Sequence, residues 1–165
     1  DCTVIDLPRD MLINYPHLLG DVNATVIVTE LTLASARDCI RLLSWLKSHA
    51  AQSKVFVVAN KVQTANLEIG RQDFESSIER KIDIMIPHDP KTASQAAKLG
   101  QAMVEAGKSS KASAKIIELT NLVLGSVSGG EDSSTSPDKK SLMEKFGDFK
   151  SFLPSKKTKE EAPKV

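Results

Sequence analysis

Four short runs of apolar, largely β-branched residues govern what this chain can fold into. They are Cys2-Thr-Val-Ile5 ending at Asp6, Ala24 to Thr29, Val55 to Ala59, and Ile82 to Ile86 closed by Pro87. A strand with one wet face alternates polar and apolar residues, whereas these runs read as mostly apolar on both faces. That is the pattern of strands in a parallel sheet covered by helices on each side. Parallel neighbours must be joined by crossovers, usually helical, and the chain supplies them. Ala36, Cys39, Ile40, Leu43, Leu46 and Ala50 fall at helical spacing, with Arg37, Asp38, Arg41, Ser44 and Lys47 on the opposite face.

Shorter helices are expected around Arg71 to Ile78 and Ala93 to Leu99, and a longer one over Lys111 to Leu124 with Gly125 as its C-cap. Ser35-x-x-Asp38 has the form of a capping box for the first helix. The expected fold class is therefore α/β, a layered fold with a mostly parallel sheet and right-handed crossovers.

Composition changes sharply after Gly125. Residues 126–140 are Ser, Gly, Asp and Lys with almost no apolar content, and 154–165 are rich in Lys, Glu and Pro; both read as disordered. Between them, Leu142, Phe146, Phe149 and Leu153 make one stripe of a short amphipathic segment, 141–153. The expected organisation is a globular unit over 1–125 and a tail over 126–165. The stripe fits protein docking better than a membrane, because Lys145 and Lys150 are balanced by Glu144 and Asp148 and contact with anionic lipid is weak. A solvent-exposed transient helix serves as an equal alternative.

With 22 Lys+Arg against 21 Asp+Glu the net charge is +1, which removes the broad basic field of a nonspecific nucleic-acid binder. Cys2 and Cys39, with no apolar leader and no long apolar run, suggest a soluble protein of the reducing cytoplasm. Asp1 opens directly onto a strand pattern, as if the chain were cut from something longer, and an exposed sheet edge that could associate is expected.

Chemistry-bearing residues are few. Asp6 stands at the carboxyl end of an expected buried strand, the edge where α/β sheets bind ligands, and a capping or turn role fits that position equally well. His17, His49 and His88 are dispersed, without Cys/His partners at ligand spacing, so no zinc site is expected. Ser35 has no His partner for nucleophilic chemistry. Residues 102–109, ending Gly107-Lys108-Ser109, satisfy a relaxed phosphate-loop pattern, but they follow helical composition where a phosphate loop follows a buried strand.

Asp1-Cys-Thr-Val-Ile-Asp6-Leu-Pro-Arg9, Val26-Ile-Val-Thr-Glu-Leu-Thr-Leu-Ala-Ser-Ala-Arg-Asp38, Val57-Val-Ala-Asn60-Lys61-Val62 and Ile86-Pro-His-Asp-Pro90 follow in order. Together they resemble the carboxyl-terminal half of a deviant-Walker ATPase of the MinD/ParA superfamily, in the CpaE/TadZ branch associated with Flp/Tad pilus assembly. The resemblance implies a partial P-loop NTPase-like fold whose parent binds ATP and Mg²⁺. Asp6 matches the Walker B aspartate, the catalytic and metal position, contacting Mg²⁺ through water, and Pro8-Arg9 begin the γ-phosphate-sensing segment. Asn60 matches the adenine-reading asparagine, with Lys61 in the basic place beside it. Pro87 and Asp89 match the Pro-x-Asp loop beside the base, with His88 between them. Each of these also has a bland reading, a strand-end turn for Asn60 and a strand terminator for Pro87.

The family's glycine-lysine phosphate loop has no counterpart here and would lie upstream of Asp1, so this fragment alone is expected to be inactive. For the parent the resemblance implies an ATP-bridged homodimer, pilus-assembly or polar protein partners, and recruitment to the cell pole or inner membrane face. A noncatalytic localisation scaffold with a degenerate nucleotide site, and a ParA-like partition ATPase, remain as alternative readings, the latter disfavoured by the near-neutral charge.

Overall fold

A computed structural model describes residues 2–63 and 68–128; the tail stripe 141–153 lies outside them. Three parallel strands, β1 (Ala24–Thr29), β2 (Lys54–Val62) and β3 (Ile84–Pro87), form one sheet in the order β1-β2-β3. Around them stand α1 (Arg9–Asn14), a 3-10 turn over Pro16–Leu19, α2 (Leu33–His49), α3 (Arg71–Ser77), α4 (Pro90–Leu99), α5 (Met103–Ala106) and α6 (Lys111–Ser128). The expected α/β fold with a parallel sheet is thus present.

Strand parity sorts the core into two layers. Ile27, Val57 and Ala59 join Ala36, Cys39, Leu46, Ala50, Phe74, Ile78 and Ile82 in the main cluster, on the side of α2 and α3. Phe56, Val58 and Ile84 are also buried, on the side where α6 packs against the sheet. Central β2 is buried on both faces from Phe56 to Ala59, as its continuous apolar run requires. β1 behaves differently: Ile27 and Thr29 are buried while Val26 and Val28 on the other face are exposed.

The expected fourth strand at Cys2–Asp6 does not form. The segment makes no ladder, and Val4 and Ile5 are 89% and 60% exposed. A strand needs a neighbouring edge to satisfy its backbone groups, and no described strand pairs with this one, so its β-branched composition has nothing to act on.

Helix ends also differ from expectation in instructive ways. The N-cap of α2 is Thr32, whose Oγ1 accepts from the Ser35 amide at 3.1 Å, so Ser35 lies inside the helix and its box with Asp38 is not used. A hydroxyl three residues earlier takes the capping role and starts the helix about one turn sooner. Ile40, placed on the inner face by its spacing, is exposed. α6 continues through Gly125 to Ser128, because glycine permits a left-handed cap without imposing one. The left-handed glycine cap instead belongs to Gly100, at φ 61°, closing α4.

Candidate functional site

β1 and β2 end side by side at the carboxyl edge of the sheet, and the amino-terminal half of α2 packs beside them. Between these elements opens a shallow cleft of about 340 Å³, where Arg9, Asp38, Thr29, Glu30, Cys39 and Asn60 converge. The location follows from the topology, since parallel strands leave their crevices at the carboxyl ends.

Asn60 owes its position to a break in the ladder. The register between β2 and β3 shifts between Ala59 and Val62, and Lys61 takes a left-handed φ of 53°. A non-glycine residue held there carries backbone strain, a feature that clusters at functional sites. Asn60 Oδ1 accepts from the Lys61 amide at 2.9 Å, which leaves the side-chain amide nitrogen with no protein partner among the described residues. Lys61 turns back across the strand ends, its Nζ 2.8 Å from Glu30 Oε1.

Arg9, the first residue of α1, pairs with Asp38 of α2, and Arg41 lies 3.9 Å from the other oxygen of the same carboxylate. Glu30 and Asp38 therefore belong to the cleft, although sequence pattern assigns Glu30 no individual role and Asp38 only a capping one. Each meets its partner from about thirty residues away in the chain, a separation that no local spacing can encode. Burial pushes the Cys39 thiol up in pKa, the nearby Asp38 charge adds to this, and a hydrogen bond with Thr29 opposes it. The thiol thus stays protonated and packs as a small apolar group.

The remaining candidates lie apart from this constellation. Asp6 is exposed in a segment without regular secondary structure and not at the end of a buried strand, so its position does not mark it as a ligand-binding carboxylate. Pro8 is the residue preceding α1 and takes an extended conformation there. Pro87 ends β3, and the His88 amide donates to the Val62 carbonyl at 3.0 Å.

Asp89 caps α4. Its carboxylate accepts from the Thr92 amide at 3.0 Å, the Thr92 hydroxyl at 2.7 Å and the Ser110 hydroxyl at 2.8 Å. Those bonds, the Thr92 amide first, hold its pKa below the ordinary carboxylate value. Ser110 Oγ in turn accepts from the Ala112 and Ser113 amides, so one carboxylate ties together the starts of α4 and α6. Gly107 of the relaxed phosphate-loop pattern follows α5, and a Cβ there would collide with the Thr92 side chain. The glycine is needed for close packing, and Ser109 lies just before the Ser110 cap.

The described residues suit one end of a Mg-ATP molecule better than the other. A half-buried amide with a free donor in a crevice suits the edge of a base. No described strand is followed by a glycine-rich turn opening a helix, and among the described residues no group of three His, Cys, Asp or Glu side chains stands at metal-holding distance. The described residues fit the nucleoside end and not the phosphate end.

Two solved structures share this fold. A ParA family ATPase from Chlorobium tepidum TLS superposes with a TM-score of 0.54 at 23% identity, covering 61% of this chain and 41% of that one. The MinD cell division protein of Aquifex aeolicus gives 0.55 at 20% identity, covering 72% and 48%. The fold is of the MinD/ParA kind. This chain spans less than half the length of either structure. No family model and no curated protein matches the sequence. No helix among the described residues is long and apolar enough to cross a membrane.

Proposed function

We propose that this chain, with residues 1–125 as its globular part and 126–165 as its tail, is part of an ATP-dependent switch protein of the CpaE/TadZ kind. It serves pilus assembly or polar localisation. In the whole protein ATP bridges two subunits, and slow Mg²⁺-dependent hydrolysis resets them. The observation that carries this reading is the carboxyl-edge cleft of a MinD/ParA-like sheet, into which a strained turn delivers the free amide of Asn60. Asn60 reads the base, with Lys61, Pro87, His88 and Asp89 framing that end. By the resemblance, Pro8 and Arg9 would begin the phosphate-sensing segment and Asp6 would hold the hydrated metal once the rest of the site is present.

One set of contacts favours the scaffold reading as the alternative. Arg9, Lys61 and Asp89 are each engaged inside the protein, by Asp38, by Glu30 and by the two helix starts. A site whose charged members are already neutralised has less left for a ligand.

Nucleotide binding and turnover by the native full-length protein separate the two. Asn60→Ala should weaken ATP binding by roughly tenfold, the worth of one good hydrogen-bonding group, and Asp6→Ala should abolish Mg²⁺-dependent hydrolysis with the circular dichroism unchanged. No binding and no turnover in the unsubstituted protein would retire the switch in favour of the scaffold, and turnover insensitive to both substitutions would remove Asn60 and Asp6 from the site.

A further inference from the structure

Among the described residues, two that are not glycine take a left-handed backbone, Lys61 and Glu79, each at φ 53°. Glu79 is explained by its helix. It follows Ile78, the C-cap of α3, and its amide and that of Arg80 donate to the carbonyls of Ser76 at 3.4 Å and Glu75 at 3.1 Å, the paired bonds of a helix C-terminus. Lys61 ends no helix. It lies inside β2, in the irregular stretch between Ala59 and Val62 where the strand departs from its register with β3. Glycine would occupy such a position without steric cost, so a lysine there points to a contact that its side chain makes and glycine cannot.

That contact is with β1. Lys61 Nζ lies 2.8 Å from Glu30 Oε1, across the ends of two strands already in register at Thr29 and Ala59. Glu30 is itself fixed in the link between β1 and α2, where its carbonyl accepts from the Thr32 amide at 3.0 Å and the Thr29 hydroxyl at 3.3 Å. On the other flank the Val62 carbonyl accepts from the His88 amide at 3.0 Å. The bulge is thus fastened to β1 by a side-chain pair and beyond β3 by a backbone bond, and bulges of this kind re-aim a side chain. Here the side chain is Asn60. Because the Lys61 amide donates to its Oδ1 at 2.9 Å, a backbone donor fixes the orientation of the Asn60 amide and leaves Nδ2 as the free donor.

We infer that Glu30 is a positioning residue for the base-reading amide of Asn60, acting through Lys61: the ion pair holds the left-handed turn whose N–H sets the Asn60 side chain. Lys61 thereby holds the turn and not the ligand. The inference rests on the proposed nucleotide reading for what Asn60 binds. Both side chains of the pair are half exposed, 58% and 49%, so its loss shifts the turn by only a few-fold.

Calorimetric titration of the native full-length protein with ATP tests it, with Asn60→Ala in parallel. Glu30→Gln should weaken binding about threefold. Lys61→Ala loses the pair and keeps a side chain unsuited to left-handed φ, and should weaken binding by about tenfold; Lys61→Gly loses the pair but adopts that φ freely, and should lose less. In the Lys61→Gly background Glu30→Gln should add nothing, and Glu30→Lys combined with Lys61→Glu should recover most of what either loses alone. In lysine-labelled protein without nucleotide, the strong amide-to-Hα Overhauser contact that marks positive φ should weaken at Lys61 in Glu30→Gln. Tighter binding by Glu30→Gln, or equal losses in Lys61→Ala and Lys61→Gly, overturns the inference and makes Lys61 a direct ligand contact. An undiminished Overhauser contact overturns it as well. A wild type that binds no ATP, or binding indifferent to Asn60→Ala, defeats the nucleotide reading instead, and the Overhauser contact then shows separately whether Glu30 holds the turn.

Discussion

Val58 and Val28 are the same residue, paired in register on the same face of one sheet, yet Val58 is 0% exposed and Val28 62%. The difference is the cover above them. α6 packs mainly over β3 and reaches β1 less, so the apolar layer thins from the centre of the sheet to its edge. On the opposite face no such thinning occurs, since α2 and the chain entering β1 keep Ile27, Leu31 and Leu19 buried. One strand thus has a finished face and an unfinished one. A residue's contribution to stability is set by the layer it meets, and identity alone does not predict it.

The sharpest way to break this comparison is to truncate both valines. Val58→Ala should cost about 2–3 kcal/mol in urea unfolding, through lost transfer energy plus a cavity. Val28→Ala should stay within about 0.5 kcal/mol. Equal losses would mean that the β1 face is covered.

A smaller effect concerns how the finished side is fastened. Glu75 is buried in α3 and accepts from Arg71 Nε at 2.7 Å, Lys81 Nζ at 2.8 Å and the Ile82 amide at 3.1 Å. The Lys81 and Arg71 side chains, then the Ile82 amide, hold its pKa down at about 2. A carboxylate with a depressed folded pKa gives stability that is complete above its unfolded value, about 4.3, and fades as pH falls toward 2. Thermal melts should therefore drop between those limits, and Glu75→Gln should lower the neutral-pH melting temperature while flattening that slope. An unchanged slope would mean that other carboxylates carry the acid sensitivity.

Smallest is the entry to α2, which lines both the core and the cleft. Thr32→Ala removes the acceptor for the Ser35 amide and should cost about 1 kcal/mol. Ser35→Ala should cost less, because its amide keeps Thr32 as partner. The reverse order would restore Ser35 as the cap.

Much of the fold was legible because local pattern and burial agreed. The uninterrupted run Val55 to Ala59 became the central strand, and Arg71 to Ile78 became α3 with Ile78 as its C-cap. Cys2 to Ile5 carries the same β-branched composition and forms no strand, since pairing is a property of two segments and only one was in view. α1 and the 3-10 turn before β1 gave no expectation, being too short for periodicity to register. The site divides in the same way. Asn60 and Arg9 were marked by motif and do meet in one cleft, whereas Glu30 and Asp38 enter it only through ion pairs closed across about thirty residues.

Sequence alone determined the class of fold, through apolar runs too continuous for a one-sided sheet and helical stripes long enough to cross over them. It also determined a near-neutral surface, which depends on composition and on no geometry. Tertiary structure decided the rest: which strand is central, which face of β1 stays wet, that Thr32 and not Ser35 starts α2, and that Asp89 caps a helix. The first two depend on which distant segment arrives to satisfy a backbone edge or cover a face; the caps are local, and there the folded chain chose between neighbouring side chains that could each serve. Free energies of that kind belong to pairs of segments, and a chain read one residue after another contains only the members.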